Sequence, residues 1–292
     1  MSAGLDPGQI RHAFSRAAAS YEAHAVLQAE VGRRLREQLD EREFTPQRVL
    51  DVGCGPGIGA SALRKRWPQA QIIALDLALP MLQLAQQRAG TPATFACVAG
   101  DAQALPLAAA SVDLVHANLC LQWCDDPGLA LAEFRRVLRP EGVLVFSTFG
   151  PDTLHELRSA FASVDAAPHV SRFIDMHDIG DGLLASGFRD PVMEREDFVL
   201  TYADLRSLMR ELRAIGATNA DAQRSRSLMG KTHLARVIEA YEVFRRDGVL
   251  PATWEVIYAL ALAPAIGQPL RTLEGDVASF SISNLRGSRV RR

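Results

Sequence analysis

VLDVGCGPGIG (residues 49–59) is the stretch whose reading decides the fold. It opens as a short apolar run with one acid, Asp51, set inside it. It then breaks into Gly53-Cys54-Gly55-Pro56-Gly57, and IGASALRKRW after it reads as a helix. A strand, a glycine-rich turn and a helix in that order let a ligand approach the backbone closely, because glycine tolerates the turn and carries no Cβ. The first amides and the positive dipole end of the helix favour an anionic group there. In a dinucleotide-binding fingerprint that group is a pyrophosphate. The match to that fingerprint is imperfect, since Ile58 stands where its third glycine would fall.

Outward from this loop, strand-like and helix-like patterns alternate. QIIALD is a second strand and ALPMLQLAQQRA a second helix; TFACV and VDLVHAN are further strands, a helix follows over about 128–138, and GVLVFSTF is a fifth strand. Continuous apolar strands separated by helices indicate a parallel sheet covered on both faces. Right-handed crossovers make it doubly wound. DPVMEREDFVL and WEVIYALAL add two late strands. The expected fold is therefore α/β, a doubly wound, mostly parallel seven-stranded sheet with an N-terminal helical arm and a helical insertion before the last strand. The expected division is a helical lid at 1–45, a cofactor-binding core at 46–200, the insertion at 201–252, the last core strand at 253–264, and a disordered polar tail at 265–292. PDTLHELRSAF reads as a helix with proline in its first turn, and HDIGDGLLASGF as one that stops at Gly187.

A chain of 292 residues can bury a large core. Its net charge of −2 gives no bulk electrostatic case for nucleic acid or an anionic membrane. No apolar run reaches the roughly 18 residues that span a bilayer. The start, MSAGLDPGQIRHAFSRAAASYE, lacks the basic and apolar regions of a secretory signal, and Asp6 and Glu22 argue against a transit peptide. A cytoplasmic monomer is expected. Cys54, Cys97, Cys120 and Cys124 read as buried free thiols. Cys120 and Cys124 lack CxxC spacing, so no metal site is expected.

Acids recur where strands end. Asp76 lies 25 positions after Asp51, at the end of the second strand, where a carboxylate accepts both hydroxyls of a ribose. Asp101 can accept an adenine amino group, with the Ala102 amide beside the ring, and Leu77 and Met81 can sandwich that ring. The loop Asn118-Leu119-Cys120-Leu121-Gln122-Trp123 would border the reacting atom, with Trp123 either packing or lining the pocket. Ligands bind along this carboxyl edge in open α/β sheets.

Residues 48–149 resemble the class I S-adenosylmethionine-dependent methyltransferases. HAFSRAAASYEAHAVLQ, HANLCLQWCDDP, STFGPDTLHELR and AYE…LPATWEVIY together resemble the malonyl-acyl-carrier-protein O-methyltransferase family, over nearly all of the chain up to about residue 260. One departure stands out: that family often continues EVIY with a Gly-His-aromatic stretch, whereas ALALAP follows Tyr258 here. The resemblance implies S-adenosylmethionine as cofactor and S-adenosylhomocysteine as product, held by Asp51, Gly53, Gly55, Gly57, Asp76, Leu77, Met81, Asp101, Ala102 and Asn118. It implies methylation of the free carboxylate of a malonyl thioester on acyl carrier protein, giving the ester that primes biotin synthesis. A carboxylate is ionised at neutral pH and already nucleophilic, so no general base is required and positioning carries the catalysis. Arginine suits the orienting role by its bidentate geometry. The substrate-side candidates are Arg16, Tyr21, His155, Arg158 and Arg172, with the arm closing as a lid. For the acidic carrier protein, the insertion offers Arg206, Arg210, Arg213, Arg224, Arg226, Lys231 and Arg236, the first three on one helix face. The alternatives are a methyltransferase for another small acid or a coenzyme A thioester, and a methyltransferase-like assembly factor or arginine hydroxylase.

Overall fold

The computed structural model describes residues 4–40, 43–224 and 230–268, with the backbone of 270–272 and 275–277. Arg226 lies outside the described residues. Seven strands form one sheet: β1 (Arg48–Val52), β2 (Gln71–Asp76), β3 (Ala96–Ala99), β4 (Val112–Asn118), β5 (Leu138–Phe149), β6 (Arg189–Tyr202) and β7 (Leu250–Leu262). Their order is β3-β2-β1-β4-β5-β7-β6. The pairs among β1 to β5 are parallel, and β7 alone runs against its neighbours β5 and β6. The expected seven-stranded, mostly parallel sheet is therefore present.

Along β1, Val49 joins one buried cluster while Leu50 and Val52 join another. Successive side chains of a strand point to opposite faces, so these clusters are the two covered sides of the sheet. The outer strand β6 instead alternates exposed and half-buried residues, as an edge strand with one wet face does. From β1 the chain winds outward to β2 and β3, then returns to β4 on the other side of β1. That switch opens a crevice at the carboxyl ends of β1 and β4, which fixes where a ligand can lie.

The sheet is flanked by α3 (Ile58–Arg66), α4 (Leu79–Ala89), α5 (Pro127–Val137), α6 (His155–Ala162) and α7 (Met176–Ala185). Helix α5 starts at Asp126, whose carboxylate accepts from the Gly128 and Leu129 amides, a standard cap for otherwise unpaired donors. Helix α7 stops at Gly187, whose φ of +81° is the left-handed conformation that ends helices. Helix α6 differs from the sequence expectation. It begins at His155, and Pro151 belongs to the turn before it, because Leu154 takes a left-handed φ of +53° that no regular helix can contain.

The arm is two helices, α1 (Pro7–His24) and α2 (Val26–Glu37), joined at Ala25. Helix α2 buries Leu27, Val31 and Leu35. The insertion carries α8 (Leu205–Ala214) and α9 (Lys231–Glu242). Because β6 runs to Tyr202 and β7 starts at Leu250, the insertion is slightly shorter than 201–252. Arm and insertion, distant in sequence, are bonded to each other: the Asp6 amide donates to the Ala220 carbonyl at 2.9 Å, the Ala222 amide to the Gly4 carbonyl at 3.0 Å, and the Ser20 hydroxyl to the Ala214 carbonyl at 2.8 Å. In the stretch expected to lack order, β8 (Leu270–Thr272) and β9 (Gly275–Val277) pair antiparallel; the rest of it past 277 lies outside the described residues. Among the described residues, no helix is long and apolar enough to cross a membrane.

Candidate functional site

The crevice at the switch point holds a cavity of about 870 Å³, its open mouth included, within the range of cofactor pockets. Gly53, Gly55, Asp76, Leu77, Met81, Asp101, Ala102 and Asn118 all line it. Two of the expected residues do not. Asp51 lines an adjoining pocket that shares Tyr21, Gln28, Gly53, Gly55 and Asn118 with the first. Gly57 lines neither; it caps α3 at φ +81°, and a Cβ there would meet Ala85 at 3.0 Å. The absence of a side chain there lets the loop pack on α4.

Each acid is prepared by its surroundings. Asp76 accepts the Gly55 amide at one oxygen and the Ala78 amide at the other, both at 2.8 Å. These bonds fix the plane of the carboxyl and leave a lone pair on each oxygen for a diol. Burial pushes the Asp76 pKa up, opposed by the same amide bonds. Asp101 accepts the Gln103 amide at 2.9 Å, which orients it toward the cavity it lines. Asp51 is 2% exposed, and one oxygen lies 2.7 Å from His116 Nδ1. The register of β1 on β4 places these two residues opposite each other. The other Asp51 oxygen and His116 Nε2 are buried without a hydrogen-bond partner among the described residues. Unpaired buried polar atoms are costly, and both belong to residues that line the smaller pocket.

That pocket is also lined by Arg36, a residue the sequence reading passed over. Burial lowers the Arg36 pKa and the Asp51 carboxylate opposes the shift. An acid with a free lone pair and a guanidinium in one small pocket form a receptor for a zwitterion. Asn118 lines both pockets but its side chain is engaged, donating to the Gln28 carbonyl and accepting from the Ser147 hydroxyl, each at 2.9 Å.

The arm roofs the cavity. Ile10, Phe14 and Tyr21 of α1 line it, and Phe14 meets Trp123 edge to face at 5.1 Å. Trp123 therefore both packs and lines. Burial pushes the Tyr21 hydroxyl pKa up, with the Asp76 carboxylate adding to the shift, so the phenol stays neutral. Arg88 of α4 donates to the Pro56 carbonyl of the glycine loop at 2.5 Å and to both oxygens of Glu22 on α1, which ties roof to floor.

The other substrate-side candidates fall elsewhere. Arg16 is exposed on α1 and lines none of the cavities described here. Arg158 folds back to donate to the Pro151 and Thr153 carbonyls at 2.8 and 3.0 Å, completing the turn before α6. His155 is exposed, with Nδ1 on the Asp152 carbonyl. Arg172 lines a further cavity that shares Gln122 and Cys124 with the main one. Among the described residues, no arginine or lysine lines the main cavity itself, and Arg16 and Arg158, two of the candidates for orienting the carboxylate, lie outside it. Arg206, Arg210 and Arg213 are exposed on α8, while Leu205 and Leu208 on its other face are 1% exposed. Lys231 and Arg236 are exposed on α9, and Arg224 is half-buried and paired with Asp6. Cys54 and Cys124 are buried, Cys97 and Cys120 half-buried, and all four are free.

Residues 50–146 match the family model described as a methyltransferase domain. Over 98% of this chain and 97% of the relative, the sequence is 50% identical to the malonyl-[acyl-carrier protein] O-methyltransferase of Xylella fastidiosa (strain M23). It is equally 50% identical to the enzyme of that name from Laribacter hongkongensis (strain HLHK9), over 94% of this chain and 96% of the other. This chain belongs to the malonyl-[acyl-carrier protein] O-methyltransferase family. Its fold is also that of the YcgJ protein of Bacillus subtilis, with a TM-score of 0.55 and 18% identity over 79% of this chain and 97% of that one. In this member of the O-methyltransferase family, the matched domain supplies the floor of the cavity. The roof and the arginine face come from the arm and insertion on either side of it.

Proposed function

We propose that this chain transfers the methyl group of S-adenosylmethionine to the free carboxylate of a malonyl thioester carried on acyl carrier protein. The observation that carries the cofactor is the placement of Asp51, Asp76 and Asp101 at successive strand ends around two adjoining cavities, Asp76 and Asp101 lining the larger and Asp51 the smaller. Asp76 would hold the ribose diol, Asp101 the adenine amino group, and Leu77 and Met81 the ring. The Asp51 oxygen without a partner and Arg36 fit the ammonium and carboxylate of the methionine end. When bound, the sulfonium supplies an electrophilic methyl group with a good leaving group.

The acceptor needs no base, because its carboxylate is ionised at neutral pH. The chain's contribution is to orient and to exclude water. A carboxylate meeting a sulfonium loses charge on reaction, and a cavity of low polarity favours a step that consumes charge. Uncharged polar residues, among them Gln122 and Tyr21, line that cavity. Arg172, in the adjoining cavity that shares Gln122 and Cys124, is the arginine placed to orient the carboxylate. The relatives' name supports the malonyl-carrier substrate, and the exposed arginines of α8 suit an acidic carrier protein. The chain is expected to act as a cytoplasmic monomer.

The test is a comparison of kcat/KM for malonyl-acyl carrier protein, malonyl-coenzyme A and free malonate. The carrier-bound substrate is expected to be the best by at least tenfold. Equal or better turnover of the coenzyme A thioester would refute the carrier-protein assignment and leave the methyltransferase assignment standing.

A further inference from the structure

The geometry points to a divalent metal site of the zinc class at Asp165, His169 and His233, apart from the cofactor cavity. Asp165 and His169 lie in the irregular stretch after α6, and His233 lies in the first turn of α9. One donor atom from each of the three falls within 4.8 Å of the other two. His169 Nε2 is 2.9 and 3.0 Å from the two Asp165 oxygens. His233 Nε2 is 2.9 Å from Asp165 Oδ2. It is buried, and it makes no hydrogen bond of acceptable geometry among the described residues. His169 Nε2 is hydrogen-bonded to the Asp165 carboxylate while His233 Nε2 faces it without such a bond, so both imidazoles turn the same nitrogen toward one acid.

With metal–ligand bonds of about 2.1 Å, tetrahedral donors stand about 3.4 Å apart, so the 2.9 Å separations would widen by about 0.5 Å around an ion. Two imidazoles and a carboxylate form a donor set that zinc and its neighbours accept. The ligands are held in place from behind. The His169 ring stacks on Phe161 at 4.0 Å with the planes 13° apart, and Asp165 Oδ1 accepts the Ala167 amide at 2.9 Å. A cavity lined by Leu157, Met209, Asn219 and Gly230 opens beside the three residues, with room for waters to complete the coordination. No cysteine lines it. An ion here would staple the stretch after α6 to α9 and so join the insertion to the core. The pair spacing of Asp165 and His169 is visible in the sequence, but His233 lies 64 positions further on, so only the fold assembles the set.

The experiment uses tag-free, full-length protein freed of metal, titrated with ZnCl₂ by calorimetry and with CoCl₂ by visible absorption. One equivalent of Zn²⁺ is expected to bind, and to raise Tm by about 5 °C at a hundredfold excess over Kd. Cobalt should give the ligand-field bands of a nitrogen and oxygen site. His169→Ala and His233→Ala should each weaken binding by more than about tenfold, since even outer-shell losses cost that much. His177→Ala, which removes an exposed histidine elsewhere, should leave it unchanged. The wild-type cobalt spectrum keeps the proposal testable should a variant fail to fold. Absence of stoichiometric binding, equal binding in the two ligand variants, or a thiolate-to-cobalt charge-transfer band would overturn it.

Discussion

Replacing Asp76 by Asn keeps the side chain's shape and removes its charge and one acceptor oxygen. In the native site each oxygen already takes a backbone amide at 2.8 Å, from Gly55 and from Ala78. Asparagine can satisfy only one of these, so the other amide loses its partner, at a cost of about 1–3 kcal/mol. Removing a charge that burial disfavours offsets part of that cost, and Tm should move by only a few degrees. Binding has no such offset. A hydrogen bond from a ribose hydroxyl to an ionised acceptor contributes about 1.5–3 kcal/mol, so losing one weakens binding roughly ten- to hundredfold. Calorimetric titration with S-adenosylhomocysteine, well below Tm, measures it. A Kd within threefold of wild type in a folded Asp76→Asn protein would refute the ribose assignment.

The same residue predicts a pH dependence. Burial raises the Asp76 pKa above its unfolded value, so its protonated form is the one the fold favours. That contribution to stability is fully present below the unfolded pKa and is lost as pH rises through the folded one. Cofactor binding needs the ionised form. The Kd for S-adenosylhomocysteine should therefore rise on acidification, beginning above the ordinary carboxylate range, and this component should vanish in Asp76→Asn.

Four further outcomes follow from the geometry. Tyr21→Phe keeps the roof and should leave kcat within about threefold, whereas Tyr21→Ala opens the cavity to water and should lower kcat at least tenfold in steady-state assays. Arg210→Glu with Arg213→Glu should raise KM for the carrier-bound substrate and flatten its salt dependence, with no change for malonyl-coenzyme A. Arg172→Ala should raise the substrate KM at unchanged Tm, while Arg158→Ala should lower Tm, since its guanidinium holds the Pro151 and Thr153 carbonyls. Leu114→Ala, at a fully buried site in β4, should cost about 2–5 kcal/mol in urea unfolding.

The sheet was legible because its inner strands are covered on both faces and so appear as mainly apolar runs carrying only isolated polar residues, VLDV and VDLVHAN among them. That Asp76 and Asp101 line the cavity was legible because strand ends border the crevice of such a sheet. What the sequence hid depends on distance in space. His116 partners Asp51 only because β4 returns to lie beside β1, and Arg36 reaches the same pocket from the arm. Arg158 looked like a substrate cation; the left-handed turn at Leu154 leaves carbonyls that claim it instead. The arm and the insertion could be outlined separately, but not their bonding through Asp6 and Ala220, which no local pattern encodes. Gly57 belonged to the right motif and serves packing against Ala85.

The most direct measurement supplies malonyl-acyl carrier protein and S-adenosylmethionine labelled in its methyl group, then follows the label. The account predicts one methyl per carrier, on the distal carboxyl, released as methanol by mild base, with transfer sharply reduced in Asp76→Asn. No label on the carrier, or label resistant to mild base, would contradict it.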